Sequence, residues 1–267
     1  MGGISRDTEN ARSLQREFDE IESRWIAGEI TIKNKQGKAL TPPGTPGLYK
    51  MCYKNGKKYH RQLHKYWFVS KAGNVISLES RNHPIWQSSS GGERNDQYRI
   101  TKNKANKLKR DVIVSNYMLV ALVHGSRIIG RAKSILEKRG LEAIEQVKHD
   151  RQGKTIYTAE GKRAYAYDGV CCHHIDGYDK DAVNQKKNCN PDRLVIITNS
   201  LHDLFETYVS EKELTFSDVN DFERHLQEFI ETQRKNIRKV KNIFDREGMS
   251  GNINFVMLTG NKHTKIV

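Results

Sequence analysis

Apolar residues recur at helical spacing in the first segment. Leu14, Phe18, Ile21 and Trp25 stand between charged neighbours, which predicts an amphipathic helix stopped at Gly28. Residues 34–47 are rich in turn formers and end in TPPGTPG, so a turn-rich linker is expected there. From residue 47 the period shortens, and GLYKMCY, the turn NGKK and HKYWFVSKAGNVISL read as strands and hairpins. The stretch SSSGGE (88–93) predicts a flexible loop, and KNKANKLKR (102–110) is strongly basic. The run 112–123 is the most apolar of the chain and must be buried. A helical pattern returns over 131–147 with a break at Gly140, and residues 150–168 are polar.

At Gly169 the chain changes character. Residues 169–206 read as strand (GVCCHHI), long loop (DGYDKDAVNQKKNCNPD), strand (RLVIIT) and helix (NSLHDLFE). Beyond them Phe222, Leu226, Phe229, Ile237, Val240 and Phe244 mark one face of a long helix over about 218–245, with Asn220 and Glu223 at capping-box spacing for its start. The whole is an α+β chain in four regions. These are an N-terminal helix and linker (1–47), a basic mixed α/β region (48–150), a core of two strands and a helix (151–210), and a helical basic extension (211–267). No internal repeat or low-complexity tract interrupts it.

Composition adds a partner to this outline. Of 267 residues, 46 are Lys or Arg against 32 Asp or Glu, a formal charge of +14. With a mean hydropathy of −0.77 and a pI near 9.5, the chain carries a positive field suited to a polyanion. Nucleic acid is the first candidate and an acidic membrane surface the second. The apolar run 112–123 contains Ser115, Asn116 and Tyr117 and is shorter than the roughly 20 residues of a spanning helix. MGGISRDTEN has no apolar signal core, and Arg6 stands where a myristoylation motif wants Ser or Thr. Cys52, Cys171, Cys172 and Cys189 have no even spacing and read as reduced thiols, so a cytoplasmic setting is expected.

The candidate chemistry begins with His173 and His174. Neighbours on a strand point to opposite faces, so one imidazole can bind a metal while the other approaches a water from a different side. His202 lies 28 residues after His174, in the first turn of the predicted helix, with Asn199 as the expected N-cap. The apolar strand between them can hold that helix against the first strand and bring His202 to His173. Cys171, Cys172 and Cys189 raise the alternative of a structural zinc, which the lack of a C-x-x-C pair disfavours. His60 and His64, four residues apart in KKYHRQLHKYW, are read as basic surface because no acidic or cysteine partner is near.

The order CHHIDG, then NPDRLVIITNSLH, over residues 171–206, resembles the HNH nuclease motif, the ββα-metal (His-Me) finger. The resemblance implies a metal-dependent DNA endonuclease with His174 as general base and His173 and His202 as metal ligands. Glu206, one turn beyond His202, and Asn190 are candidates for the metal or its water shell. The family's middle Asn, which pins the loop, is replaced by Arg193. Asn188, Asn190 or Asp192 is then the expected pin, and Arg193 is free for phosphate. The implied cofactor is Mg²⁺, with Mn²⁺ or Zn²⁺ as alternatives.

WFVSKAGNV resembles the small Y-x-V-S-x-x-G-x-V module of phage and intron-encoded homing nucleases, with Trp67 in the place of Tyr. VIVSNYMLVALVHG is loosely similar to the segment that joins that module to the HNH motif. The resemblance implies a phage or mobile-element nuclease acting on double-stranded DNA in a bacterial host. Lys107, Lys109 and Arg110, then Arg234 and Arg238 on the long helix, are the expected phosphate contacts. The apolar face of that helix packs on the domain or on a second copy, which leaves a homodimer open. Two other readings stand beside this one: a structure-selective or restriction-like nuclease, and a non-cleaving DNA-binding regulator that keeps only the fold.

Overall fold

In a computed structural model the amphipathic N-terminal segment forms helix α1 (Arg6–Ile26), which lays Phe18, Ile21 and Trp25 on a sheet. The structure describes residues 6–52, 63, 66–78, 84–87, 97–102, 108–144, 169–177 and 188–246, with single positions between 154 and 161; of the helical residues 6–11 and 237–246 only the backbone is described. The expected turn NGKK, the SSSGGE loop, Lys107, His60 and His64 lie outside the described residues. So does the segment 178–187. Helix α1 stops where expected: Gly28 takes φ 78°, a left-handed conformation that favours glycine.

The sheet under α1 is antiparallel, in the order β1 (Tyr49–Met51), β2 (Trp67–Ser70), β3 (Val75–Ser77) and β4 (Ile85–Trp86). Alternation divides its side chains. Phe68 and Ile76 face α1, where Phe18 stacks on Phe68 at 4.1 Å between centroids, while Trp67, Val69 and Val75 enter a second core. Glu22 of α1 is buried in this layer and its carboxylate accepts the Gly47 N–H at 2.8 Å, with burial raising its pKa. It anchors the end of the turn-rich linker.

The apolar run expected to be buried is two elements. Residues 112–115 are strand β6 (Val112–Ser115), paired with β5 (Gln97–Ile100), and the chain then turns into helix α2 (Asn116–His124). Residues 118–123 of α2 are all buried, the mark of a helix enclosed on every side. It lies between the first sheet and a third one. That sheet has the order β7 (Arg127–Ile128), β9 (Leu194–Thr198), β8 (Val170–His174), with β7 parallel to β9 and β8 antiparallel to it. Because β7 comes from the basic region and β8 from the core, the expected boundary near residue 150 is crossed by one continuous sheet. Helix α3 (Ala132–Arg139) ends at Gly140, as expected.

Helices α4 (Asn199–Lys212) and α5 (Val219–Arg246) cover the far face of the third sheet. Phe205, Phe216, Phe222, Leu226 and Phe229 fill the space between them and Cys171, Ile175, Val195 and Ile197. The start of α5 differs from expectation. Asp218 is its cap, accepting the N–H groups of Asn220 at 2.7 Å and Asp221 at 2.9 Å, since a short carboxylate just before the helix reaches the first unpaired donors. Asn220 and Glu223 instead both receive Arg127 of β7, which ties α5 to the sheet edge.

His124 closes α2 with Nε2 donating to the Val69 carbonyl at 2.9 Å, while its buried Nδ1 has no hydrogen-bond partner among the described residues. Burial lowers its pKa to about 4, with the nearby Lys50 and Lys71 charges pushing the same way. The unfolded chain therefore binds the extra proton first, and stability present above the ordinary histidine pKa near 6.5 is lost as pH falls toward 4. Thermal melting followed from pH 7.5 to 4 is expected to show falling stability over that window, with a shallower fall in His124→Gln.

Candidate metal centre

Strand β8 carries two histidines to opposite sides of the third sheet. Cys171, His173 and Ile175 share the face covered by α4 and α5, whereas Val170, Cys172 and His174 share the face toward α2. His173 is only 5% exposed, and its ring lies 4.9 Å from that of Phe222 on α5.

Helix α4 begins directly at the end of β9, so its first turn stands over the end of β8. Its cap is Thr198, whose hydroxyl accepts the Leu201 N–H at 3.3 Å; Asn199, the expected cap, is the first helical residue. The extended backbone of Thr198 places the hydroxyl one residue earlier than the pattern suggested. From this start His202 and Glu206 fall one turn apart on one face. His173 Nδ1 is 2.8 Å from Glu206 Oε1, His202 Nε2 is 3.5 Å from the same oxygen, and the His173 and His202 rings are 5.2 Å apart.

These three side chains each offer one ligand atom, all within 4.8 Å of one another. The spacing suits a divalent cation, because adjacent ligands about 2.1 Å from an octahedral ion are about 3 Å apart. The protonation states suit it too. The hydrogen bond from His173 holds the Glu206 carboxyl below its usual range. Burial, then the neighbouring His173, lowers the His202 pKa, the direction that favours a neutral, ligating imidazole. Two imidazoles and a carboxylate leave coordination positions open, unlike the four protein ligands of a structural zinc. No group that includes a cysteine appears among the described residues, and the four cysteines are free and buried, as expected of reduced thiols.

His174 is half-buried on the other face. Its Nε2 lies 3.0 Å from the Asn188 carbonyl oxygen, and because a carbonyl only accepts, that nitrogen carries the proton and Nδ1 is the acceptor. The Tyr117 ring lies edge-on at 4.7 Å. Burial lowers the His174 pKa to about 4 against the opposing effect of the Asn188 bond, and the His173 and His202 charges lower it further. Loop pinning thus involves Asn188 through its backbone. Asn190 uses its side-chain oxygen to accept the Asp192 N–H at 3.1 Å and caps the 3-10 turn Pro191–Arg193.

Arg193 corrects the expectation that it is free for phosphate. Its guanidinium makes a two-pronged ion pair with Asp176, with Nε 2.8 Å from Oδ2, and donates to the carbonyls of Phe216, at 2.8 Å, and Ser217. It is a strut between the strand loop and the α4–α5 connection. Of the other expected phosphate contacts, Lys109 is exposed, Arg110 is half-buried, and Arg234 is exposed but paired with Glu231 at 2.8 Å. Arg238 lies on α5 with its side chain outside the described residues.

No family model, curated protein or solved structure matches the chain. The site is therefore read from its own geometry. Sequence reasoning gave no role at the site to Tyr117 or Asp176, and read Phe222 only as part of the apolar face of the long helix. Asp176 carried a faint signal as the acid two positions after the histidine pair. Tyr117 carried none, because it sat inside an apolar run.

Two measurements check this geometry. Glu206→Gln is expected to weaken Mn²⁺ binding at least roughly tenfold in calorimetric titration, as loss of a ligand should. Arg193→Lys is expected to cost about 2 kcal/mol in denaturant unfolding, because an ammonium cannot reproduce the planar fork. A change near zero would identify Arg193 as a surface cation after all.

Proposed function

We propose that this chain is a metal-dependent endonuclease of the HNH type that hydrolyses phosphodiester bonds in double-stranded DNA. The observation that carries this reading is the pairing of His174, one ring nitrogen anchored to a backbone carbonyl, with the His173–His202–Glu206 set on the opposite face of the same strand end. The order of these residues along the chain is that of the HNH motif.

In this mechanism the Asn188 carbonyl fixes the His174 tautomer, and Nδ1 takes a proton from a water molecule as that water attacks the phosphorus in line. The bond to the 3′ oxygen breaks on the far side, and that oxygen takes a proton from solvent water to leave as a hydroxyl. His173, His202 and Glu206 would hold a divalent cation, which supplies charge neutralisation for the phosphate and the departing oxygen. The donor set contains two imidazoles, softer than the all-oxygen shell that Mg²⁺ prefers, so Mn²⁺ should bind more tightly than Mg²⁺. Phe222, packed on His173, keeps that ring from turning away. The formal charge of +14 draws the polyanion to the protein. No helix among the described residues is long and apolar enough to cross a membrane. A phage or mobile-element setting in a bacterial cytoplasm, and a preference for particular DNA sequences, complete the reading.

Supercoiled plasmid and genomic DNA incubated with and without Mg²⁺ or Mn²⁺ test it. Metal-dependent nicking or linearisation is expected, falling at least about 100-fold in His174→Ala while DNA binding persists. Binding without cleavage by the wild type under all these conditions would favour the non-cleaving regulator. The pH dependence follows from the depressed His174 pKa. Its base form is the neutral one, so at saturating metal the rate is expected to stay level from pH 8 to pH 6. A tenfold drop per unit below pH 7 would argue for a different base.

A further inference from the structure

Among the contacts on the proposed base, one comes from a part of the chain remote from the motif. The hydrogen bond to the Asn188 carbonyl fixes the position of one ring nitrogen of the His174 imidazole. Tyr117 meets the ring at 4.7 Å between centroids with 73° between planes. An edge contact of this kind favours one orientation of the ring plane. Tyr117 is itself half-buried on the first turn of α2, a helix enclosed by the core.

The residues next to Asn188 and Tyr117 lie against the turn between β2 and β3. Asn116, buried beside Tyr117, accepts the Tyr117 N–H through its side-chain oxygen at 2.8 Å. A β-carbon at Gly73 would stand 3.0 Å from Asn116 Cβ and 3.0 Å from the sulfur of Cys189, the residue that follows Asn188. Tyr98 donates to the Gly73 carbonyl at 3.1 Å and fixes the turn, where Gly73 takes φ 82°. A single turn of the N-terminal sheet thus touches the immediate neighbours of both His174 partners.

We infer that Tyr117 is a positioning residue for the phosphodiester-cleaving base, setting the plane of the His174 imidazole from a platform supplied by the β2–β3 turn. The inference rests on the assignment of His174 as the base. Tyr117 acts through His174, so its removal should matter only while His174 is present.

The test is a double-substitution series at saturating Mn²⁺ with plasmid DNA. Tyr117→Phe keeps the ring, and Tyr117→Leu fills the space without an aromatic edge; each is made in the wild type and in His174→Ala, with and without added imidazole. Tyr117→Phe is expected to cleave within about threefold of wild type. Tyr117→Leu is expected to lose about 30-fold in maximal rate, with half-saturating DNA concentration and melting temperature little changed, since small misplacements of a reacting group cost on this order. In the His174→Ala background the same substitution should leave the residual or imidazole-supported rate unaltered. Full activity in Tyr117→Leu, or equal loss in both backgrounds, overturns the inference and leaves the base assignment standing. A wild type that cleaves no DNA, or His174→Ala with wild-type activity, overturns the base assignment and this inference with it.

Discussion

Two-sided burial of the β8–β9 strand pair is the constraint on which the site depends. Side chains alternate along a strand, so a pair covered by α2 on one face and by α4 and α5 on the other must present apolar residues at nearly every position. Val195 and Ile197 go to one core and Leu194 and Ile196 to the other, which leaves no slack in register. A one-residue slip would turn His173 toward α2 and His174 toward α4, exchanging their surroundings. The unequal surroundings of two adjacent histidines therefore follow from the apolar residues around them. The histidines stand where β8 ends and where α4 supplies the remaining polar groups.

Holding imidazoles in such surroundings requires that the covering helices stay in place. Helix α5 supplies Phe222 against His173, and two arginines fasten this layer. Arg127 reaches from β7 to Asn220 and Glu223, and Arg193 reaches from the β8–β9 loop region to Asp176 and to the carbonyls of Phe216 and Ser217. Guanidinium suits both tasks, since its fixed fork can serve a carboxylate and a carbonyl at once. In this chain, part of the positive charge that composition assigns to a polyanion is engaged in partly exposed contacts with the chain's own residues.

How legible all this was in sequence depends on the range of the interaction. The strand, strand and helix order around residues 169–206 was readable because it rests on local period and turn chemistry. The α1 stop at Gly28 and the break at Gly140 were readable for the same reason. The proximity of His173 and His202 followed from placing a helix across a strand pair. Glu206 was visible only as a candidate, since one helical turn beyond a ligand is also where a solvated carboxylate would stand. The caps slipped: Thr198 and Asp218 outcompeted Asn199 and Asn220, because several adjacent residues could cap and backbone geometry chose among them. Arg193 was misjudged for a different reason. Its partners, Asp176, Phe216 and Ser217, come from distant segments and leave no periodic trace. Tyr117 was hidden by context, as an aromatic inside an apolar run reads as core whatever it touches.

The electrostatics of the base bear on when such a site could work. Burial and the His173 and His202 charges all push His174 toward its neutral form, and the Glu206 charge is the carboxylate influence that opposes them. A neutral imidazole of low basicity is available to accept a proton but gains little by doing so. An anion arriving near the strand end would work in the direction of Glu206, raising the proton affinity of Nδ1 at the moment a proton has to be taken up. In the proposed reaction that anion is the phosphodiester itself. The free protein would then carry a base that is unprotonated but weak, and DNA would strengthen it by occupying the site. If His174 is the base, the burial that lowers its proton affinity in the free protein would be offset by the approach of the phosphodiester.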